Sequence, residues 1–366
     1  ERHTRRALAL APTNTVALST RAGLAWKQGR LAEAAADFRT LLALNPRDGE
    51  SAYSLSLVQL AQRLPHDALT SLRTAHALRP DNLQLQLNLA DLEASLGHDE
   101  EAVRLGEDAL RRRPADAALH SRFSTILAQL GRTADAFTHA EQAVALAPEV
   151  PEAHAKLAQL LRLAGRVAEA CAQYRQATAL DPDNVDLHLN LGVALAQNQD
   201  TEAALAEFET ALRLRPACAP AHTEIGHLLL ARNQPAEAAE RFRRALAIDP
   251  RLVRALLGLA RAGVQVGAYD EAAASLQQAI ELQPANPEPY STWAEILVRQ
   301  GRFAEAIPPY EKALGLQPED AGGHAALGYA LFLAGRRADA RHAWEEALRL
   351  DPDFPKLRER LQNLPP

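Results

Sequence analysis

The stretch GRVAEACAQYRQATALDPDN, Gly165 to Asn184, holds a Gly-Arg opening, a run of alanines with one tyrosine, and an Asp-Pro stop. A second stretch, GRFAEAIPPYEKALGLQPED from Gly301 to Asp320, follows almost the same pattern. The prolines that close such segments set a period. Pro12, Pro46, Pro80, Pro114, Pro148, Pro182, Pro216, Pro250, Pro284, Pro318 and Pro352 each lie 34 residues after the last, with no insertion. Self-similarity at a fixed period of this length is the mark of a stacked-repeat architecture.

Numbering slots from the third residue after each proline gives ten repeats, 15–48, 49–82, 83–116, 117–150, 151–184, 185–218, 219–252, 253–286, 287–320 and 321–354. Slot 20 is Ala throughout, from Ala34 to Ala340, and slot 8 is always Ala, Gly or Ser. Slot 27 is Ala except for Leu41. Slot 24 is often aromatic, as in Phe38, Tyr174, Phe208, Phe242, Tyr310 and Trp344, and slot 7 is mostly large and apolar. Slot 15 is most often Gly, as in Gly29, Gly165 and Gly301.

Slots 4, 7, 8 and 11 share one helical face, and slots 20, 24 and 27 share another. Gly at slot 15 suits the left-handed residue that ends a helix. An acid at slot 19, absent only from the sixth repeat, suits the positive end of the next helix dipole. The slot-32 proline stops that helix. Each repeat therefore reads as two antiparallel helices. Small residues at slots 8 and 20 let the pair touch closely, and slots 7 and 24 fill the space beside them. One pair cannot bury both faces, so pairs must stack. The expected class is all-α, a solenoid of antiparallel helix pairs.

The period and these columns resemble the tetratricopeptide repeat over residues 15–354. The resemblance implies a right-handed superhelix whose first helices line a concave groove, commonly occupied by an extended peptide or a partner's helix. Slot 4 departs from the family pattern. His120, His154, His188, His222 and His324 stand there in place of a large apolar or aromatic residue, and are expected to be half-buried stand-ins for an aromatic. Pro65 and Pro235 fall where a second helix begins, a tolerated position.

The ends differ from the interior. Residues 1–14 match the second half of an upstream repeat, with Ala7 in slot 27, and lead us to expect sequence before Glu1. Residues 355–366 are expected to form a capping helix with Leu357, Leu361 and Leu364 on one stripe and Gln362 at slot 8.

Net charge is −6, which argues against nucleic acid as a partner. Cys171 and Cys218 form no framework and read as small apolar side chains. No apolar run reaches transmembrane length, so direct membrane insertion is not expected. Stacked pairs would hold equivalent histidines roughly 8–10 Å apart, too far to share a metal with ligand bonds of about 2.0–2.1 Å. No phosphate loop, nucleophile elbow or His-Glu-x-x-His motif occurs. Arg111, Arg112 and Arg113 complement the end of a helix dipole. Neither catalysis, a metal nor a cofactor is expected.

The groove is left as the candidate site. Slots 2, 5, 6, 9, 12 and 13 oppose the packed slots and should face it. They include Asn88, Asp91, Arg122, Lys156, Gln159, Arg162 and Asn190, with Trp26, Tyr53, Leu57, Leu60 and Leu87 making an apolar first part. Further on, Arg254, Arg261, Arg299, Tyr329 and Phe332 mix with Glu288 and Glu295. An Asn at slot 6 can pair both N–H and C=O of an extended backbone. In relatives a ladder of such asparagines holds peptide; Asn88 and Asn190 match it here. Only Asn88 and Arg122 fit the two-carboxylate clamp of chaperone-binding relatives, which sets a chaperone C-terminus aside.

The expected function is a non-catalytic scaffold that captures a peptide or partner segment. Two other readings are a recruiting arm of a larger glycosyltransferase- or sulfotransferase-type enzyme and a structural subunit of a bacterial envelope or polysaccharide-export assembly. Self-association through the convex face or the first repeat is a further expectation. The Ala, Arg and Leu bias resembles that of GC-rich bacteria; the sequence leaves the compartment open between the cytoplasm and the periplasm of a bacterium.

Overall fold

The computed structural model describes residues 2–354 and 356–362, so Pro355 and Leu364 of the expected terminal helix lie outside the described residues. Two compact units divide between Asp181 and Pro182. The first holds α1 (Arg2–Leu10), α2 (Thr15–Lys27), α3 (Leu31–Leu44), α4 (Gly49–Ala61), α5 (Pro65–Leu78), α6 (Leu83–Ser95), α7 (Asp99–Arg112), α8 (Ala117–Gln129), α9 (Thr133–Leu146), α10 (Pro151–Leu163) and α11 (Val167–Leu180). The second holds α12 (Val185–Gln197), α13 (Thr201–Leu214), α14 (Ala219–Ala231), α15 (Pro235–Ile248), α16 (Val253–Val266), α17 (Tyr269–Leu282), α18 (Glu288–Arg299), α19 (Phe303–Leu316), α20 (Ala321–Leu333), α21 (Arg337–Leu350) and α22 (Leu357–Gln362). No strand occurs among the described residues. Within each unit a first helix packs on the second helix of its pair, and that helix packs on the next first helix. Each unit is an all-α solenoid.

The pairs close on small residues. The slot-20 alanines from Ala34 to Ala340 are fully buried. Slot 8 is buried in every pair and trades size with slot 24. A Cβ on Gly192 would stand 2.5 Å from Phe208, one on Gly226 2.7 Å from Phe242, and one on Gly328 2.3 Å from Trp344. Where slot 24 shrinks to Gly106, Phe123 from the following first helix takes the space, and a Cβ on Gly106 would meet it at 2.1 Å. Tight helix contact and full packing are thus both kept.

Five of the ten first helices in the repeats start on side-chain caps: Asn14, Asp48, Asn82, Asp116 and Asn184 accept backbone N–H groups of the first turn. First helices end on a left-handed residue at slot 15. Seven of these are Gly, and Arg63 (φ 61°), Gln199 (φ 64°) and Asn233 (φ 58°) hold the same conformation. The geometry therefore belongs to the slot, and glycine is only its cheapest occupant.

The histidine column is more than an aromatic substitute. His120, His154, His188 and His222 are buried rather than half-buried, while His324 matches the half-buried expectation. Nε2 donates to the proline carbonyl six residues upstream: His120 to Pro114 at 3.0 Å, His154 to Pro148 at 3.0 Å, His188 to Pro182 at 2.9 Å and His324 to Pro318 at 3.0 Å. Tyr290 bonds Pro284 in the same way at 3.2 Å, and Arg358 bonds Pro352 at 2.7 Å. Where slot 4 holds Gln86 or Leu256, the second helix supplies the donor, Arg112 to Pro80 at 2.7 Å and Gln278 to Pro250 at 2.9 Å. A His, Tyr or Arg at slot 4 thus satisfies a carbonyl that the ended helix leaves orphaned.

Two carboxylates are buried. Asp37 accepts Nε and Nη2 of Arg21 at 2.7 and 2.6 Å, and Glu93 accepts Nε and Nη2 of Arg73 at 2.8 and 3.0 Å. The hydrogen bonds hold both arginines above the ordinary guanidinium pKa. Each carboxylate is neutralised within the chain, so neither marks a reactive site. Cys171 and Cys218 are buried free thiols. Leu357 is buried and Leu361 half-buried against Trp344, and Gln362 is exposed.

Gly192→Ala should destabilise α12 and α13 by roughly 1–3 kcal/mol through overpacking, and adding Phe208→Leu should recover most of that loss. Urea unfolding combined with local hydrogen exchange reads both; an unchanged Gly192→Ala variant contradicts the size-trading rule. Gln199→Gly should raise stability by about 0.5–1 kcal/mol by relieving the left-handed backbone, measured in the same way.

Candidate functional site

The first helices of the first unit present an uneven face. Slot 2 is exposed on each of them, but slots 5 and 6 are mostly half-buried because α6, α8 and α10 also touch one another. Leu87, expected on the open face, is fully buried in the core of this unit. Leu57 is half-buried and Leu60 exposed.

Three expected site residues meet. Tyr53 on α4, Asn88 on α6 and Arg122 on α8 form a ladder across consecutive first helices. Asn88 Nδ2 donates to the Tyr53 hydroxyl at 3.0 Å, and Arg122 Nη2 donates to Asn88 Oδ1 at 2.9 Å. Both ends of the Asn88 amide are thereby engaged, and Asn88 holds Arg122 in place. Arg122 Nη1 is buried and has no hydrogen-bond partner. An unsatisfied buried donor costs about 1–3 kcal/mol, more when charged, so an incoming acceptor would relieve it.

Arg122 lines a cavity of about 780 Å³. Its walls are largely small or apolar, including Ala118, Ala147, Val150 and Ala153. Arg113, Asp116 and Glu152 complete the lining, so its formal charges balance. Sequence reasoning missed Val150 and Ala153. Val150 stands at the cap slot without a side-chain cap, as Cys218 and Leu252 also do, so the sequence carried no distinct signal for this cavity.

The other expected residues lie apart from this ladder. Lys156 Nζ donates to Gln159 Oε1 at 3.3 Å, and burial lowers the Lys156 pKa. Arg162 hydrogen-bonds Tyr174 on its partner helix, and burial raises that phenol. Trp26 is half-buried against a different cluster, around Ala22 and Phe38. Asp91 is exposed on α6, and Asn190 is exposed on α12 in the second unit. Arg111, Arg112 and Arg113 lie beside Asp108, Asp81 and Asp116. Among the described residues no group of His, Cys, Asp and Glu could hold a metal ion, and no helix is long and apolar enough to cross a membrane.

In the second unit the expected arginines are each ion-paired, Arg254 with a glutamate that was not among the expected residues. Arg254 meets Glu224 at 2.6 Å, Arg261 meets Glu288 at 2.7 Å and Arg299 meets Glu295 at 2.8 Å. Tyr329 and Phe332 are exposed, with Arg360 over the Tyr329 ring. His227, at slot 9, was not among the expected residues. Burial, then the charges of Arg254 and Arg261, push its pKa down to about 4.

The geometry defines a helical-hairpin solenoid with a partly polar first-helix face. Family models described as tetratricopeptide repeat match residues 20–65, 53–117 and 122–177, and one described as TPR repeat matches 159–199. The chain is a tetratricopeptide repeat protein. Residues 196–365 also match the model of the C-terminal domain of cilia and flagella-associated protein 70. No curated protein matches the chain in sequence. Among solved structures, a tetratricopeptide repeat protein from Parabacteroides merdae ATCC 43184 is 22% identical, with TM-score 0.54, covering 67% of this chain and 97% of its own. PilW, described as a widely conserved type IV pilus biogenesis factor, is 22% identical with TM-score 0.54, covering 58% of this chain and 98% of its own. At these identities the likeness is one of fold.

The depressed His227 makes stability pH-dependent. The unfolded chain, with an ordinary histidine pKa of about 6.5, takes up the proton before the folded chain does. Stability is therefore lost as pH falls from about 6.5 toward 4. His227→Phe should lose less than the wild type between pH 7 and 5, by on the order of 1–2 kcal/mol. Urea midpoints at the two pH values measure it, and equal losses would contradict the assignment.

Proposed function

We propose that this chain is a non-catalytic scaffold that holds an extended segment of a partner protein against the first helices of its first unit, within a repeat array spanning residues 15–354. The observation that carries this reading is the buried, unpartnered Nη1 of Arg122 at the wall of the 780 Å³ cavity. A guanidinium donor held in place by Asn88 and Tyr53 suits a backbone carbonyl. The balanced charge of the lining favours that neutral acceptor over a carboxylate. The alanine and valine walls suit an apolar side chain on the same segment. Tyr53 extends the surface along α4, and Lys156 and Gln159 extend it along α10. Trp26, Asp91, Arg162 and Asn190 lie apart from this centre.

A random peptide display library panned against the purified chain tests the proposal. Enriched peptides should share a medium-sized apolar residue. Arg122→Gln should weaken them about 10-fold or more, the equivalent of one charged hydrogen bond. Ala118→Phe, which fills the cavity from an exposed position, should abolish binding with the circular dichroism melt unchanged. Peptides that bind both variants as well as the wild type would overturn the site.

A further inference from the structure

A second cavity adjoins the one at Arg122. It has a volume of about 300 Å³ and lies between the first turns of α6 and α8, as the larger one lies between those of α8 and α10. Arg113, Asp116, Ala118 and Arg122 line both. The start of α8 is therefore a partition between two cavities, and the buried, unpartnered Nη1 belongs to a residue of that partition.

The two sides differ in chemistry. The larger cavity is walled by Ala147, Val150 and Ala153. The smaller adds Asp81, Asn82 and Gln84 from the start of α6. Its acids are already matched, Asp81 by Arg112 at 3.8 Å and Asp116 by Arg113 at 3.9 Å, so it offers hydrogen bonds rather than a carboxylate in want of a cation. Asn82 Oδ1 accepts the Leu85 N–H at 3.0 Å, which leaves Nδ2 as a donor. Asp116 Oδ1 accepts the Leu119 N–H at 3.1 Å, and Oδ2 stands too far from Arg113 for a hydrogen bond, which leaves it as an acceptor. Gln84 is exposed and carries both kinds of group. A primary amide brings two donors and an acceptor without charge, whereas a hydroxyl has a single proton to give. An asparagine or glutamine side chain fits this lining best.

Spacing selects the backbone that can fill both cavities. α6, α8 and α10 touch in succession, and helices in contact lie roughly 8–10 Å apart. Cavities on the two sides of α8 are one such step apart. A β-strand returns a side chain to the same face every second residue, after about 6.8 Å, and an α-helix does so after about 5.4 Å. Both fall short. A polyproline II segment returns one every third residue, after about 9.3 Å, and makes no internal hydrogen bonds. One of its carbonyls is then at hand for Arg122 between the two side chains.

We infer that the Arg122 site takes a polyproline II segment of its partner by two side chains three residues apart, an apolar one in the larger cavity and an asparagine or glutamine in the smaller, on either side of a carbonyl held by Arg122. The inference rests on the function proposed for Arg122, and adds to it the second side chain, its chemistry and its spacing.

The test pans a display library of random peptides against the full chain and sorts the enriched sequences by their loss on Arg122→Gln. Those that depend on Arg122 should carry Asn or Gln three residues from the shared apolar residue, at least threefold above its frequency in the unpanned library. In the most enriched of them, made as a synthetic peptide, replacing that residue by Leu should weaken binding about 10-fold by calorimetry. Gln84→Leu, at an exposed position, should weaken the parent peptide about fivefold and leave the leucine peptide unchanged. Arg122-dependent peptides with no amide preference, with a charged residue in its place, or with the amide two or four residues away would overturn the inference and leave the Arg122 site standing. Equal binding of the parent peptide to Gln84→Leu and to the wild type would overturn the second cavity. No Arg122-dependent peptide at all would overturn both readings.

Discussion

The burial of small residues where the helices of a pair come closest holds everything else in place. Slot 20 is Ala without exception, and slot 8 is Ala, Gly or Ser, and both are buried in every pair. Bulk excluded from that line must be supplied beside it. Phe208, Phe242 and Trp344 do so against glycines, and Phe123 does so from the next pair when its neighbour offers only Gly106. The conserved quantity is filled volume and not residue identity, as expected of an interior packed to crystal density.

The second constraint is polar. Ending each second helix with a proline leaves a carbonyl facing the next first helix, and a buried carbonyl needs a donor. His, Tyr and Arg at slot 4 answer it directly, while Arg112 and Gln278 answer it from the second helix when slot 4 holds Gln86 or Leu256. Nδ1 is then free to vary in its environment: it meets Gln173 in one pair, Glu207 in another and a second imidazole, His139, in a third. Burial and the adjacent His120 lower the His139 pKa, so that pair resists holding two protons.

Most of the fold was legible in the sequence because the period of 34 makes each structural demand repeat. A left-handed turn at slot 15 could be read even where Arg63, Gln199 or Asn233 stands, since seven glycines announce the conformation. The burial of Glu93 and Asp37 could not be read, because each depends on an arginine of another helix, Arg21 across the same pair for Asp37 and Arg73 from the preceding pair for Glu93. Face assignment failed at Leu87 for the same reason: a helix opposing one partner was treated as having a free back, whereas successive first helices touch there. Tyr53, Asn88 and Arg122 came together because they occupy the same or adjacent slots of successive repeats. Arg162 turned toward Tyr174 instead, a choice set by the rotamer of a long side chain and invisible to spacing.

The departures from periodicity are where chemistry collects. Val150 stands where half of the first helices carry a capping side chain, and with the first turn of α10 it lines an apolar-walled cavity. His227 places an imidazole at slot 9, where the other pairs carry Gly, Leu, Thr, Val, Tyr or a solvated polar group, and its Nε2 is buried without a hydrogen-bond partner. In a solenoid each pair contacts only its neighbours, so such a lapse costs stability locally and leaves the packing columns elsewhere untouched. That separation lets the face of the first helices change chemistry from pair to pair while slots 8, 20 and 27 stay the same, and it explains why two cavities of different polarity arise from one repeating sentence.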